Sequence, residues 1–350
     1  MKSSIEFDVE TEGERDLAAT AQRLVRMGLK AGNETTNDSA KDGTYQMFRI
    51  NPDSMVLLPA VGSVVSGGLS LFYFDPAHDT KPKAPFLIKS LTSGSSYSVG
   101  SRENVRYCVE DDAVVLCQLE SPPRVPPIAP VATEGRAPHG LPSNPFDLLH
   151  HIDYDDLYSL HYTGERLLQH LADDRPLLRS LIANALTDEI LRPKCESLPD
   201  MLKYVLYEAV NGARVRLHIF RTDYDDIPHS HRWPMCSLTL RGPIMNRYYG
   251  LDMALEQEYE GRSPPVRIAH RLTDRSVYSF SPQLVHWFHG APGSATLTIR
   301  GPLRQPLGNE FGDGGRGFKY GVDAMMEPNY TMTDAEFEAG IRHLQSSNIF

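Results

Sequence analysis

The feature that most constrains the fold is a close succession of short strand-like segments in residues 213–303. It contains seven apolar or alternating runs, which read ARVRLHIF, CSLTL, IMNRYYGL, VRIAHRL, SVYSF, LVHWF and ATLTIR, with turns that contain Gly or Pro at residues 241–243, 261–265 and 291–293. Short strands at this spacing are typical of antiparallel sheets, since a tight turn returns the chain beside its last strand. The sequence therefore predicts an antiparallel β-barrel, of the jelly-roll or up-and-down kind, in residues 213–303.

A second β-rich region lies nearer the start of the chain. A helical pattern, DLAATAQRLVRMGL, is followed from residue 44 to 121 by short runs such as SMVLLPAVGSVV, LSLFYF and AVVLCQLE. Its last part has the layout of a hairpin with a turn at residues 110–112, yet His78 is the only histidine before residue 139. We therefore expect residues 1–121 to form a helix and a β-rich domain without a histidine metal site.

The three remaining segments differ from the β-rich regions in composition and periodicity. Residues 122–144 are dense in proline, which lacks a backbone donor and resists helix and central strand, so they are predicted to be a surface linker. Residues 145–212 show helical periodicity and are expected to pack beside the barrel. Residues 304–350 are first Gly-rich and loop-like, then helical after a capping box formed by Thr333 and Glu336.

The charge balance and the apolar runs argue against two classes of partner. The formal net charge is -10, whereas general nucleic-acid binders need basic surface to displace counterions from phosphates. No apolar run approaches the roughly 20 residues of a membrane helix, and the first residues lack the apolar segment of a signal peptide. Four cysteines without CxxC spacing indicate reduced thiols. We therefore expect a cytoplasmic protein that binds neither nucleic acid nor membrane.

Three histidines of the barrel region are spaced as metal ligands. His229 and His231 lie two residues apart beside a strand, so both imidazoles project from one face of an extended backbone. His286 belongs to a later strand-like run, and three neutral imidazoles that converge form an open site for a divalent first-row metal. The alternative for the first pair is a polar loop before a strand. His289 would face the other side of a regular strand.

In PHSHRWPMCSLTLRG and SPQLVHWFHG the sequence resembles the cupin superfamily. The residues that match the two cupin motifs are His229, His231, Gly242, Pro282 and His286. The resemblance covers residues 213–303 and implies a metal-binding cupin barrel. For residues 1–121 it suggests a degenerate, metal-free cupin, with an unrelated β module as the alternative. The chain would then be bicupin-like, mainly β with helical additions (α+β).

One departure from the cupin pattern is informative. Many cupins place a Glu four or five residues after the second His as a fourth ligand, whereas this chain has Met235 and Cys236 there. A cysteine in that position is similar to cysteine dioxygenase and related thiol dioxygenases, which bind iron(II) through three histidines. The resemblance thus implies Fe(2+) as the metal, while Zn(2+), Ni(2+) and Mn(2+) stay open.

Further residues are candidates for contact with the substrate. Cysteine dioxygenase binds the substrate carboxylate with an Arg upstream of the HxH, and the corresponding stretch around Lys203 has none. Arg214 and Arg216 could replace it, because a guanidinium binds a carboxylate through two parallel hydrogen bonds; facing outward, they would be solvated charges instead. Cys236 and Tyr278 are candidates for tuning an oxygen adduct, although a free cysteine is also commonly buried as an apolar residue, and tyrosines of this region also pack the barrel.

The function predicted from these features is that of a mononuclear non-haem iron oxygenase or dioxygenase. Its partners would be O2 and a small polar metabolite such as an amino acid or thiol. Two alternatives keep the same site: a Zn, Ni or Mn cupin isomerase, lyase or hydrolase, and a non-enzymatic cupin sensor that binds a metal or ligand. Exposed barrel faces also allow a homodimer.

Overall fold

The structure is a computed structural model of the chain. It describes residues 45–50, 58–59, 61–74, 85–99, 104–109, 113–118, 124–125, 142–225, 228–251, 266–304, 309–311, 317–319 and 331–346. The helical pattern predicted at residues 16–29, the turn at 110–112 and most of the linker of 122–144 lie outside the described residues. The division of the chain at that linker therefore stays a prediction.

The strands before residue 126 form what we call the first region. They are β1 (Tyr45–Ile50), β2 (Leu58–Pro59), β3 (Val61–Ser66), β4 (Leu69–Phe74), β5 (Leu87–Leu91), β6 (Ser96–Val99), β7 (Asn104–Cys108), β8 (Ala113–Gln118) and β9 (Arg124–Val125). Alternation is clear in β6, where Tyr97 and Val99 are buried and their neighbours only partly so. Such a strand turns one face towards a core.

Helices follow in the middle of the chain and return at its end. They are α1 (Leu148–His151), α2 (Leu157–Asp173), α3 (Arg175–Thr187) and α4 (Asp334–Ser346), with 3-10 turns at Pro145–Asp147 and Arg192–Lys194. α2 begins where the Asp156 carboxylate accepts a hydrogen bond from the Tyr158 N–H at 3.0 Å. The predicted capping box of α4 is present, since the Glu336 N–H donates to Thr333 Oγ1 at 3.3 Å. No described helix is long and apolar enough to cross a membrane.

The strands from residue 196 to 300 form the second region. They are β10 (Glu196–Ser197), β11 (Met201–Glu208), β12 (Arg214–Phe220), β13 (Tyr224–Asp225), β14 (Met235–Arg241), β15 (Ile244–Leu251), β16 (Ile268–Leu272), β17 (Val277–Phe280), β18 (Leu284–Gly290) and β19 (Ala295–Arg300). A short hairpin of β20 (Asn309–Phe311) and β21 (Gly317–Lys319) follows. The seven strand-like runs of the sequence all correspond to strands. The prediction of a helical segment over residues 145–212 is wrong from residue 196 on, because the apolar run MLKYVLYE forms the buried strand β11, and periodicity alone does not separate such a strand from a buried helix.

Two large antiparallel sheets contain strands of both regions. The first has eight strands in the order β1-β8-β3-β6-β16-β15-β18-β13, and the second has nine in the order β10-β11-β12-β19-β14-β17-β5-β4-β7. The regions meet where β6 pairs with β16 and β5 pairs with β17, and we call the space between the sheets at these pairings the seam. The predicted fold class, mainly β with helical additions and a jelly-roll arrangement in two halves, is confirmed.

The nine-stranded sheet separates two cores. Apolar side chains between the two sheets form one core, and the helices cover the outer face of the nine-stranded sheet to form the other. α2 lies close to β14, because a Cβ added at Gly164 would meet the Cys236 Sγ at 2.9 Å. Both faces of this sheet are therefore buried, and only the inward face can line a site between the sheets.

Candidate metal centre

The three predicted histidines meet at the edge of the second region. His229 forms an isolated bridge with His286 of β18, in which each backbone N–H donates to the other carbonyl at 2.9 Å. The backbone N–H of His231 donates to the Pro282 carbonyl at 2.9 Å. These bonds hold the segment before β14 against β18, which brings together side chains that lie 55 positions apart in the sequence.

The donor set fits a divalent metal. One ring nitrogen of each histidine lies within 4.8 Å of the others, and the Nε2 atoms of His231 and His286 are 2.8 Å apart. Two unprotonated nitrogens at this distance would repel, so either one carries a proton or a cation lies between them. Burial, with a smaller contribution from His229, holds the pKa of both His231 and His286 well below the usual value. Neutral imidazoles are the form that binds metals.

Aromatic rings enclose the three imidazoles. The Phe280 ring centroid lies 5.4 Å from that of His231 and 4.7 Å from that of His286. Tyr248 stacks on His286 at 6.1 Å. Apolar rings on this side exclude water and strengthen electrostatic interactions at the imidazoles.

A pocket of about 140 Å³ opens beside the histidines, between the two sheets. Lys203, Arg216 and Arg300 contribute to its walls together with His218, Thr296 and Thr298. The described residues that line it include no Asp or Glu. Lys203 pairs with Glu196 at 3.4 Å, so Arg216 and Arg300 supply the positive charge of this pocket in a chain whose formal net charge is -10.

Arg216 and Arg300 lie inward on neighbouring parts of the nine-stranded sheet. Their Nε atoms are buried and have no hydrogen-bond partner among the described residues. Burial lowers the pKa of Arg216, and burial together with Arg216 lowers that of Arg300 to about 9. The Arg300 guanidinium lies 3.9 Å from the centre of the Trp233 ring. Two buried guanidinium groups whose Nε atoms have no partner among the described residues can form a binding wall for an anion.

The structure separates the two arginines predicted for the substrate. In β12, Val215 and Leu217 are buried towards the helices, so Arg216 faces the pocket. Arg214 does not line the pocket, because its Nε donates to Glu208 Oε1 at 3.0 Å. Lys194 contacts the same carboxylate. The candidate role of Arg214 in substrate binding is therefore not supported by its position, whereas that of Arg216 is.

Cys236 lies on the opposite face of its strand from the pocket. Met235 lines the pocket, and alternation turns Cys236 towards α2, where its thiol is fully buried. Burial raises the pKa of the Cys236 thiol to about 12, so it stays protonated. The expectation that Cys236 reaches the site is not met, because the apolar layer under the helices takes its side chain. All four cysteines are free and buried.

Tyr278 lines the pocket as predicted, on the side of the seam. Burial raises the pKa of its hydroxyl to about 12. His218 also lines the pocket, its Nδ1 lies 3.4 Å from Thr296 Oγ1, and its Nε2 has no partner among the described residues. His289 instead stacks on Trp287, away from the pocket.

Arg300 and Lys203 were missed as pocket residues by sequence reasoning. A signal for Arg300 exists in ATLTIR, where Thr296, Thr298 and Arg300 alternate with Leu297 and Ile299. Polar residues at every second position indicate a face that lines a hydrated space rather than a core. For Lys203 the signal was the resemblance itself, since the stretch around it corresponds to the one that carries the substrate Arg in cysteine dioxygenase.

Similar folds occur among solved structures. KdgF from Halomonas sp. is 13% identical, with 31% of this chain and 88% of that chain covered and a TM-score of 0.24. An RmlC-like cupin from Shewanella frigidimarina is 14% identical, with 31% and 84% covered and a TM-score of 0.24. A variant of oxalate decarboxylase from Bacillus subtilis is 10% identical, with 81% and 73% covered and a TM-score of 0.26.

No family model matches the sequence, and no curated protein matches it either. The solved neighbours include proteins named as cupins. At such low identities and TM-scores they carry no argument about the metal, the substrate or the reaction.

Proposed function

We propose that the protein is a mononuclear metal enzyme that acts on a small carboxylate-bearing metabolite, with Fe(2+) as its metal and O2 as its co-substrate. The observation that supports this most is the position of three imidazoles in one small pocket that also carries Arg216 and Arg300. Neutral metal ligands and buried guanidinium groups both favour a negatively charged substrate.

The metal would be held by His229, His231 and His286. Their lone pairs are free for ligation at neutral pH because burial disfavours the imidazolium form of His231 and His286. When bound to three imidazoles, Fe(2+) supplies Lewis acidity and further coordination positions for substrate and dioxygen.

The chain itself would bind and orient the substrate. Arg216 and Arg300 would take a carboxylate between them, and the nearby Thr298 hydroxyl offers a further polar contact. Hydrogen bonds between charged partners are about twice as strong as neutral ones. The remaining part of the substrate would then point towards the three histidines.

The size of the pocket limits the substrate. Its volume of about 140 Å³ is below the roughly 300–1,000 Å³ that is typical of ligand pockets. A metabolite with a handful of non-hydrogen atoms fits such a space. Tyr278 and Phe288 border it, and Phe280 packs on His231, so aromatic rings shield the metal side of the pocket from water.

A second candidate is a redox-inactive enzyme of the same site. The resemblance to cysteine dioxygenase suggested iron partly through Cys236, and that thiol lies outside the pocket. Without this thiol, Zn(2+), Ni(2+) or Mn(2+) in an isomerase, lyase or hydrolase would use the same histidines and arginines.

Elemental analysis of anaerobically purified protein, followed by oxygen consumption with a panel of small amino, hydroxy and thiol acids, tests the proposal. We expect stoichiometric iron and substrate-dependent oxygen uptake that is lost in His229→Ala and retained in His289→Ala. Equal turnover without oxygen, or full activity with zinc, would replace the oxygenase by the redox-inactive enzyme. Full activity in metal-free protein would refute both.

A further inference from the structure

Lys89 is a lysine with no exposed surface, on β5 at the seam. Its Nζ has no hydrogen-bond partner among the described residues and lies 4.4 Å from the centre of the Tyr248 ring. The Tyr278 ring lies on another side at 5.3 Å. The buried side chains that the structure describes include no Asp or Glu. A buried ammonium group without a counter-charge is costly, so Lys89 needs a partner or must lose its proton.

Three further side chains at the seam have buried polar atoms without partners in the described part of the chain. They are the Tyr248 hydroxyl, Nδ1 of His270 and the Asn246 amide, which has no partner at hydrogen-bond distance although it lies near enough to the Tyr278 hydroxyl to lower the pKa of Tyr278. Asn246 and His270 are cross-strand partners of β15 and β16, and Tyr248 lies two residues from Asn246 on the same face. Lys89 reaches them from the opposite sheet. Four buried polar side chains from both sheets therefore lie close together at the seam.

Donors outnumber acceptors among these side chains. His270 Nε2 lies 2.7 Å from the Tyr73 hydroxyl, and burial, followed by the charge of Lys89, holds the pKa of His270 well below its usual value. If Tyr73 donates to Nε2, the neutral ring carries its hydrogen on Nδ1, which points to the seam as a donor. The Lys89 ammonium, the Tyr248 hydroxyl and the Asn246 amide N–H groups are donors as well.

A water molecule would leave the charge at the seam without compensation. It can accept from Lys89 and donate to Asn246 Oδ1 or the Tyr248 hydroxyl oxygen, but it brings no negative charge. An anion accepts from all of these groups and also supplies the missing negative charge.

We propose that the seam binds one small monovalent anion, of the size of chloride or formate, between Lys89 and the donors of Asn246, Tyr248 and His270. This site adjoins the metal centre, because Tyr248 also stacks on His286, but none of these four residues lines the pocket. The anion would link β5 of the first region to β15 and β16 of the second. The proposal is independent of the proposed enzymatic function.

Thermal unfolding of the metal-free full-length chain tests the proposal. Sodium chloride or sodium formate replaces sodium gluconate at constant ionic strength, because gluconate is too large for an enclosed site. We expect Tm of the wild type to rise with chloride and to saturate, as mass action requires for a ligand of the folded state. In Lys89→Met, Tm should not depend on chloride.

Arg216→Gln is the control for anions in the metal pocket and should keep the chloride dependence. Loss of that dependence in Arg216→Gln, with its persistence in Lys89→Met, would assign the anion to the pocket and overturn the proposal.

Crystals of the wild type soaked in bromide keep the proposal testable if Lys89→Met does not fold. We expect an anomalous peak beside Lys89 Nζ, and a weaker chloride dependence of Tm in Tyr248→Phe. Absence of the peak, with Tm independent of chloride, would mean that Lys89 is buried as a neutral amine without an anion.

Discussion

Between the same two sheets, the interior of the first region is filled by rings such as Tyr73, Tyr97 and Tyr107, whereas the second region keeps a pocket of about 140 Å³. The side chains of the first region are packed so tightly that a Cβ added at Gly62 would lie 2.5 Å from the Tyr97 hydroxyl oxygen. In the second region the inward positions carry histidine, arginine and threonine instead. The two-sheet arrangement leaves room for a site in either region, and the inward-facing residues of the strands determine whether a site forms.

The largest effect should come from emptying the filled interior. Tyr97→Ala removes a ring with 2% exposure, and truncation of a buried aromatic side chain costs about 3–5 kcal/mol of unfolding free energy. Met235→Ala beside the pocket should cost less, about 2 kcal/mol or below, since this side chain already borders a cavity. Urea unfolding measures both. Equal costs would show that the two interiors are packed alike.

Second, we expect metal binding to depend on the pocket of the second region alone. A saturating divalent metal should stabilise the wild type by about 2.7 kcal/mol at a concentration of 100 Kd, and His229→Ala should lose this stabilisation. His289→Ala is the matched control, because its ring stacks on Trp287 outside the pocket. Thermal unfolding with and without Fe(2+) under anaerobic conditions measures the difference. Unchanged stabilisation in His229→Ala would place the metal elsewhere.

The third prediction separates the two arginines of β12. A carboxylate probe such as malonate should bind Arg216→Gln about 10- to 100-fold more weakly than the wild type, because a hydrogen bond to a charged group contributes about 1.5–3 kcal/mol. Arg214→Gln should change the affinity little, since Glu208 holds that guanidinium. Fluorescence of Trp233, which lies under Arg300, reports binding in a Trp287→Phe background. Equal affinities of both variants would argue against the proposed carboxylate wall.

The smallest effect concerns a histidine that joins the regions. His161 of α2 lies 2.9 Å from Ser90 Oγ of the first region and 3.0 Å from Ser279 Oγ of the second. Burial lowers its pKa to about 3, with Glu165 at 3.8 Å on the same helix. The unfolded chain therefore binds a proton at higher pH than the folded chain, and the contribution to stability is complete above pH 6.5 and falls as the pH drops towards 3.

At pH 5.5 this loss should amount to about 1.4 kcal/mol, the value of one pKa unit below the unfolded pKa. His161→Gln can still form hydrogen bonds with both serines but does not titrate. Between pH 7.5 and 5.5 its unfolding free energy should therefore fall by about 1.4 kcal/mol less than that of the wild type. Parallel stability curves of wild type and variant would contradict the buried neutral state of His161.

Much of the fold followed from local patterns. Runs such as LVHWF and ATLTIR correspond to Leu284–Gly290 and Ala295–Arg300, because alternating and β-branched residues favour a half-buried strand wherever the chain places it. The pairing of β5 with β17 and of β6 with β16 had no such signal. Register between strands far apart in sequence depends on long-range packing that no short window contains.

The part of the site that could be predicted is the part that follows from the spacing of histidines in the sequence. His229, His231 and His286 come together, although their role as ligands stays a prediction. The prediction that Cys236 lies at the site was wrong for a physical reason. In MCSLTL both faces of the strand are buried: one faces the interior between the sheets, and the other packs against α2. When both faces are buried, apolar alternation no longer tells which face points inward.

The pairing of the two regions has a consequence for the solubility of their parts. In a fragment that begins at residue 142, β16 would lack its partner β6 and β17 would lack its partner β5. Both β16 and β17 would then present a row of unpaired N–H and C=O groups. Such open edges are templates for pairing with other chains and for aggregation. The first region, besides filling its own interior, therefore acts as the protective edge of both sheets.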